Sequence, residues 1–323
     1  MDRTPHDAEG ELHEFSVAAG RTLGLSPSRL RAGAWERPFH GVRQHPLTAF
    51  EKRRTSGADG WIRYRSDILR RARAFACIMP TDAFFTGPTA AAIWDLPLPP
   101  HADARLWVGV PHPRTAPQRP GVRGVQTQPH MVHVVQHHSF PVADPASTWA
   151  SLGGLLGAYD LTAVADRIVR RARHPGHALR DDPLSTVEQL GAALDAGRRR
   201  GAADLRAALH RARDGSSSRP ETWVRCLALD GGLPEPMLDH DVYSDEGLLL
   251  GCSELAYPEV RLAVEYEGRG HLTPEQLRRD AQKYTDYQAA GWGIVRLTHA
   301  DVFSPGGGAV RQIDAALRRR GLT

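Results

Sequence analysis

Apolar and polar positions change their spacing several times along the 323 residues, and each change marks an element. Residues 12 to 23 place Leu12, Phe15, Ala19 and Leu23 at helical spacing, and Gly24 ends the run. Ser26 as N-cap and Pro27 in the first turn open a second short helix bearing Arg29 and Arg31. A short strand over residues 37 to 43 follows. Helix, tight turn, arginine-bearing helix and strand match a small winged helix-turn-helix over residues 1 to 48. Its second helix would present Arg29 and Arg31 to DNA phosphates or base edges. A helical hairpin that only caps the next domain fits the same spacing.

Residues 61 to 78 form an amphipathic pattern with Ile62, Ile68, Leu69, Ala72 and Phe75 inward. Thr86-Gly87-Pro88-Thr89 starts another helix, which Pro97 and Pro99 stop. Strand-like runs cover residues 105 to 110 and 131 to 136. His133 and His137 share a face of the second run, but no carboxylate or cysteine beside them in sequence completes a metal set. Helical spacing returns over residues 145 to 173, where Asp166, Arg167, Arg170, Arg171 and Arg173 read as a solvated face. It returns again over 183 to 213. Residues 49 to 180 are thus expected as a mixed helix and strand middle domain, and 181 to 217 as a helical connector. Asp214-Gly215-Ser216-Ser217-Ser218 has the composition of a flexible boundary.

From 218 to 323 the order is helix, three meandering strands, helix, strand, helix. That order predicts one central mixed sheet flanked by helices, an α/β (α+β) arrangement. Ser218-Arg219-Pro220-Glu221 has capping-box spacing, so Glu221 is expected to reach back to the cap. On the third strand Leu262, Val264 and Tyr266 alternate with Ala263, Glu265 and Glu267, so Glu265 and Glu267 share a face. A hairpin with the preceding strand brings Glu254 opposite Glu265. Acidic side chains gathered on mostly apolar strands are costly unless a cation sits between them, and hard oxygen ligands suit Mg2+. On the following helix Gln276, Asp280, Lys283 and Tyr287 lie on one side.

Composition changes this picture little. Hydrophobic residues make up 41 % and charged residues 24 %, an ordinary globular profile. The formal charge of +4 permits contact with nucleic acid without requiring it. Cys77, Cys226 and Cys252 are few, odd in number and widely spaced, which points to a reducing cytoplasm. No apolar run reaches membrane-spanning length, and the acidic start of the chain is unlike a signal peptide.

The last hundred residues resemble the DUF559 group of very-short-patch-repair-like endonuclease domains, within the PD-(D/E)XK nuclease superfamily. The likeness rests on Gly232-Leu233-Pro234, Leu255-Ala256-Tyr257-Pro258, residues 262 to 268, His271, Arg279-Asp280, Gly291-Trp292 and residues 295 to 298. The region before it is similar, more weakly, to the AbiEi-type antitoxins, through residues 85 to 91, 94 to 99 and 141 to 146. These resemblances imply a restriction-endonuclease-like sheet that hydrolyses DNA with Mg2+ or Mn2+ and no small-molecule cofactor. Glu254 and Glu265 would hold the metal. Glu267, His271 and Lys283 would serve the chemistry, with Glu221 and Asp280 in support. The family usually has aspartate where Glu254 stands, and glutamate is one methylene longer. The alternative is a DNA-binding regulator or antitoxin-like repressor whose nuclease fold has lost activity, or a component acting through a protein partner.

Overall fold

The computed structural model describes residues 13–49, 51–52, 60–100, 102–172, 181–268 and 274–322. The chain is a mixed α/β protein with two-, four- and six-stranded sheets among the described residues. It divides into two compact units, Met1–Ser151 and Leu152–Thr323. No helix among the described residues is long and apolar enough to cross a membrane.

In the first unit, β1 (Glu14–Ser16) pairs antiparallel with β2 (Val42–Gln44), and α1 (Val17–Thr22) and α2 (Pro27–Arg31) lie between them in sequence. The expected helix from residue 12 therefore begins later. Ser16 is its N-cap and accepts from the Ala19 N–H, which leaves Phe15 on the strand, buried edge-on against Trp35. Leu23, expected inward, is half exposed. Helix α3 (Gly60–Ala76) buries Ile68, Ala72 and Phe75 as its pattern requires, but Ile62 is 55 % exposed.

The six-stranded sheet has the order β5-β6-β4-β3-β8-β7. Its strands are β3 (Phe84–Phe85), β4 (Leu106–Pro111), β5 (Gln118–Arg119), β6 (Val122–Thr127), β7 (Val134–His137) and β8 (Phe140–Ala143). Helices α4 (Gly87–Ile93) and α5 (Pro145–Ser151) complete the unit. Leu106, Val108, Phe85 and Val142 form its core.

The second unit begins with α6 (Ala158–Val169), α7 (Val187–Asp195), α8 (Ala202–Arg211) and α9 (Arg219–Asp230). The helical pattern of residues 145 to 173 is thus two helices, α5 and α6, interrupted at Gly153 and Gly154. The domain limits expected at 180 and 217 both fall inside this unit. Asp166, expected on a solvated face, is 1 % exposed because it joins α6 to α9. It accepts from the Thr222 hydroxyl at 2.7 Å, from Arg225 Nη2 at 2.7 Å and from the Arg213 N–H at 2.7 Å. The glycine and serine run is likewise an ordered turn. Gly215 (φ +112°) and Ser216 are buried, and the Ser216 and Thr222 hydroxyls are 2.8 Å apart. Its composition permits flexibility, but the packing around it uses the same small residues to close a turn.

Strands β9 (Met237–Tyr243), β10 (Leu249–Tyr257), β11 (Leu262–Glu267) and β12 (Gly293–Thr298) form the second unit's sheet in the order β12-β11-β10-β9. The first three make an antiparallel meander. Strand β12 pairs parallel to β11, which requires the crossover that α10 (Pro274–Ala289) supplies. Helices α11 (His299–Phe303) and α12 (Ala309–Arg319) follow. Alternation along the strands divides the sheet. Leu255, Tyr257, Leu262, Val264, Val295 and Leu297 share a core with α9 and α12. Ala256 and Ala263 pack instead with Tyr287 of α10 and Trp292.

Candidate active site

The register of β10 with β11 runs through Tyr257↔Leu262, Ala256↔Ala263 and Leu255↔Val264, so the next facing pair is Glu254 and Glu265. Both follow the alternation of Ala256 and Ala263, toward α10. Lys283 of α10 meets them there, its Nζ 3.0 Å from Glu265 Oε1. Glu254 Oε2 accepts from the Tyr266 N–H at 2.9 Å.

A third carboxylate joins the pair. Glu221 is 3 % exposed and stands in the first turn of α9. Its side chain was expected to close a capping box on Ser218; it accepts instead from the Ser217 N–H at 2.8 Å and the Ser217 hydroxyl at 2.9 Å. The Ser218 hydroxyl caps the Glu221 N–H.

Electrostatics ties the three together. Burial pushes the Glu254 carboxyl up to about 8; the charges of Glu221 and Glu265 add to the rise, while the Tyr266 N–H and Lys283 oppose it. Glu265 is also raised, by burial first, against the charge and hydrogen bond of Lys283. Glu221 is raised by burial and opposed by its serine donors and by Arg170. Lys283 acts on Glu254 and Glu265, and Arg170 acts on Glu221, yet burial still raises all three carboxyls.

The donor chemistry fits a hard divalent cation, because every candidate ligand is a carboxylate oxygen in a site with surplus negative charge. As placed, however, no three His, Cys, Asp or Glu side chains among the described residues converge as a ligand set. Glu221, Glu254 and Glu265 are each turned toward a protein donor, namely Ser217, Tyr266 and Lys283.

The other expected site residues are placed differently. Glu267 forms an ion pair with Arg296, which lies 5.2 Å from the Tyr284 ring centre. Asp280 is half-buried on α10, where its charge acts on Tyr284. His271 lies outside the described residues. Arg29 and Arg31 are exposed on α2 in the first unit. His133 pairs with Asp144 at 3.1 Å, whereas His137 packs at a tilt against Trp94 and edge-on to His138.

One contributor escaped the sequence. The Asp166–Arg225 pair spans 59 residues, and neither partner has local spacing that announces it. Tyr287, which helical spacing sets on the Lys283 side of α10, is fully buried beside the site, and among the described residues its hydroxyl has no hydrogen-bond partner.

No family model matches the chain. It is similar to uncharacterized proteins of Mycobacterium tuberculosis strains CDC 1551 / Oshkosh and ATCC 25618 / H37Rv. Each is 31 % identical over 157 residues, which cover 46 % of this chain and 57 % of the relative. The chain therefore spans little more than half the length of the relatives it matches.

Proposed function

We propose that the chain is a metal-dependent endonuclease that hydrolyses DNA phosphodiesters at the Glu254–Glu265 pair. The observation that carries this reading is a facing pair of strand carboxylates with Lys283 of α10 3.0 Å from Glu265, and the charge of Glu221 from α9 acting on Glu254. The resemblance to DUF559-type, restriction-endonuclease-like domains supports the same assignment. Glu254 and Glu265 would hold Mg2+ or Mn2+, and Glu221 would shape the cluster beside them. When bound, the cation supplies Lewis-acid stabilisation of the scissile phosphate and lowers the pKa of water.

Lys283 supplies a fixed positive charge beside Glu265 and neutralises charge on the phosphate. Glu267, held by Arg296, and His271 are the candidates for proton transfer, and Asp280 supports α10. The first unit, read as a winged helix-turn-helix followed by an AbiEi-like region, would bring the enzyme to DNA through Arg29 and Arg31. The free thiols Cys77, Cys226 and Cys252 accord with a cytoplasmic setting.

A second reading, a DNA-binding regulator with a silent nuclease fold, is favoured by one observation. The carboxylates are satisfied by protein donors rather than gathered as ligands. Incubating supercoiled plasmid and single-stranded DNA with Mg2+ or Mn2+ separates the two. The nuclease reading expects the wild type to cut, and Glu265→Ala to lose more than the roughly 10–100-fold typical of losing an outer-shell partner. Equal cutting by both sinks the site assignment, and no cutting by the wild type favours the regulator.

A further inference from the structure

We propose that Arg170 is a phosphate-binding side chain of this site, donating to a non-bridging oxygen of the DNA diester beside Glu221. The inference rests on the nuclease reading and names a residue that reading does not use.

Arg170 is fixed in place by its neighbours. It is the C-cap residue of α6, one helical turn beyond Asp166 and on the same side. That side is the one Asp166 presents to Thr222, the residue next to Glu221. Beyond it, the Arg171 N–H donates to Asp214 Oδ1 at 2.7 Å, tying the end of α6 to the turn that supplies both serine donors of Glu221. The Arg170 side chain is therefore presented where α6, the 214–218 turn and the first turn of α9 meet. Its charge acts on Glu221.

The guanidinium is also unfinished. Arg170 Nε is buried, and among the described residues no hydrogen-bond acceptor meets it. Leaving a charged donor in that condition is unfavourable, and a phosphate oxygen is the acceptor to which a guanidinium bonds most strongly. Other arginines nearby already have carboxylates: Arg219 has Asp160, Arg296 has Glu267, and Arg225 has Asp166. Arg225 also has an unmet Nε, but it is fully buried, whereas Arg170 is partly exposed. Arg170 on the Glu221 side and Lys283 on the Glu265 side thus bracket the carboxylates. An anionic diester approaching a negatively charged cluster needs cations on its flanks.

The test uses the full chain and a labelled DNA duplex, with Ca2+ replacing Mg2+ for binding and Mg2+ for cleavage. Wild type is compared with Arg170→Gln, Arg170→Lys and Arg318→Gln. The last removes a charge from α12 that is paired with Asp314 and exposed. Thermal melts establish that each variant is folded. Arg170→Gln is expected to lower the slope of log K against log salt by about 0.9, the value for one phosphate contact. Its KM rises more than its kcat falls, and Arg318→Gln leaves the slope unchanged. Arg170→Lys keeps the slope but shows a raised KM, because lysine lacks the planar fork of donors that a guanidinium offers a phosphate; this variant decides the matter if Arg170→Gln fails to fold.

An unchanged slope and KM in both Arg170 variants, or an equal loss in Arg318→Gln, overturns the proposal. Wild-type cleavage with unaltered Arg170 variants removes this residue and leaves the nuclease reading. A lowered slope in a protein that never cuts removes hydrolysis and leaves the phosphate contact. A wild type that neither binds nor cuts DNA removes both.

Discussion

Asp166 and Glu254 are both carboxylates of the second unit drawn away from water, yet their surroundings treat them in opposite ways. Asp166 receives three hydrogen bonds, including one from the fully buried Arg225 guanidinium. Burial raises its pKa, and the Arg225 charge and the donors on both oxygens oppose the rise. Glu254 receives one backbone N–H, faces Glu265 and lies within the field of Glu221. Compensated charge holds two segments together. Uncompensated charge stores a demand that a ligand can meet, and such groups mark functional sites more often than structural ones.

The contrast predicts unequal consequences for stability. Asp166→Ala leaves the buried Arg225 with only the longer 3.6 Å pair to Glu235 and is expected to cost about 3 kcal/mol, read from the shift of a chemical denaturation midpoint. Glu254→Gln replaces a carboxyl that burial and the charges of Glu221 and Glu265 make costly to ionise, and its midpoint at neutral pH is expected to match or exceed the wild type. If Glu254→Gln costs as much as Asp166→Ala, the two carboxylates do the same structural job and the comparison breaks.

A smaller effect sharpens the comparison through pH. The folded-state pKa of Glu254 is raised from 4.5 to about 8, so the folded protein binds the proton more tightly than the unfolded chain. The stability from this group is fully present below pH 4.5 and is lost as pH rises through about 8. In the absence of divalent metal, Glu254→Gln should gain stability relative to wild type across that window and show no difference below it. A constant difference from acid to alkaline pH would mean that Glu254 titrates normally.

Much of the second unit was legible because its elements announce themselves locally. The period-two alternation of residues 262 to 267 set Ala263 and Glu265 on one face and Leu262 and Val264 on the other, as found. The Ser218 cap and the Gly291 stop (φ +77°) were equally local signals. What escaped depended on distant partners. Glu221 has the spacing of a capping box, a local signal that says nothing of Glu254; only the resemblance put it in support of the site. Gly215 and Ser216 have linker composition, and only contacts with Thr222 and Leu238 turn them into a buried turn. Strands β3 and β5 have two residues each, too few to show any period.

The central claim is that Glu254 and Glu265 form a site whose surplus negative charge a divalent cation relieves. It is tested most directly by melting the protein in increasing Mg2+ or Mn2+, for the wild type and for the Glu254→Gln, Glu265→Gln double variant. A cation that binds only the folded site stabilises it by about 2.7 kcal/mol at 100 times its Kd. The wild-type Tm should therefore climb with metal concentration, and that of the double variant should stay flat. Equal climbs in the two proteins, or no climb in the wild type, would contradict the account.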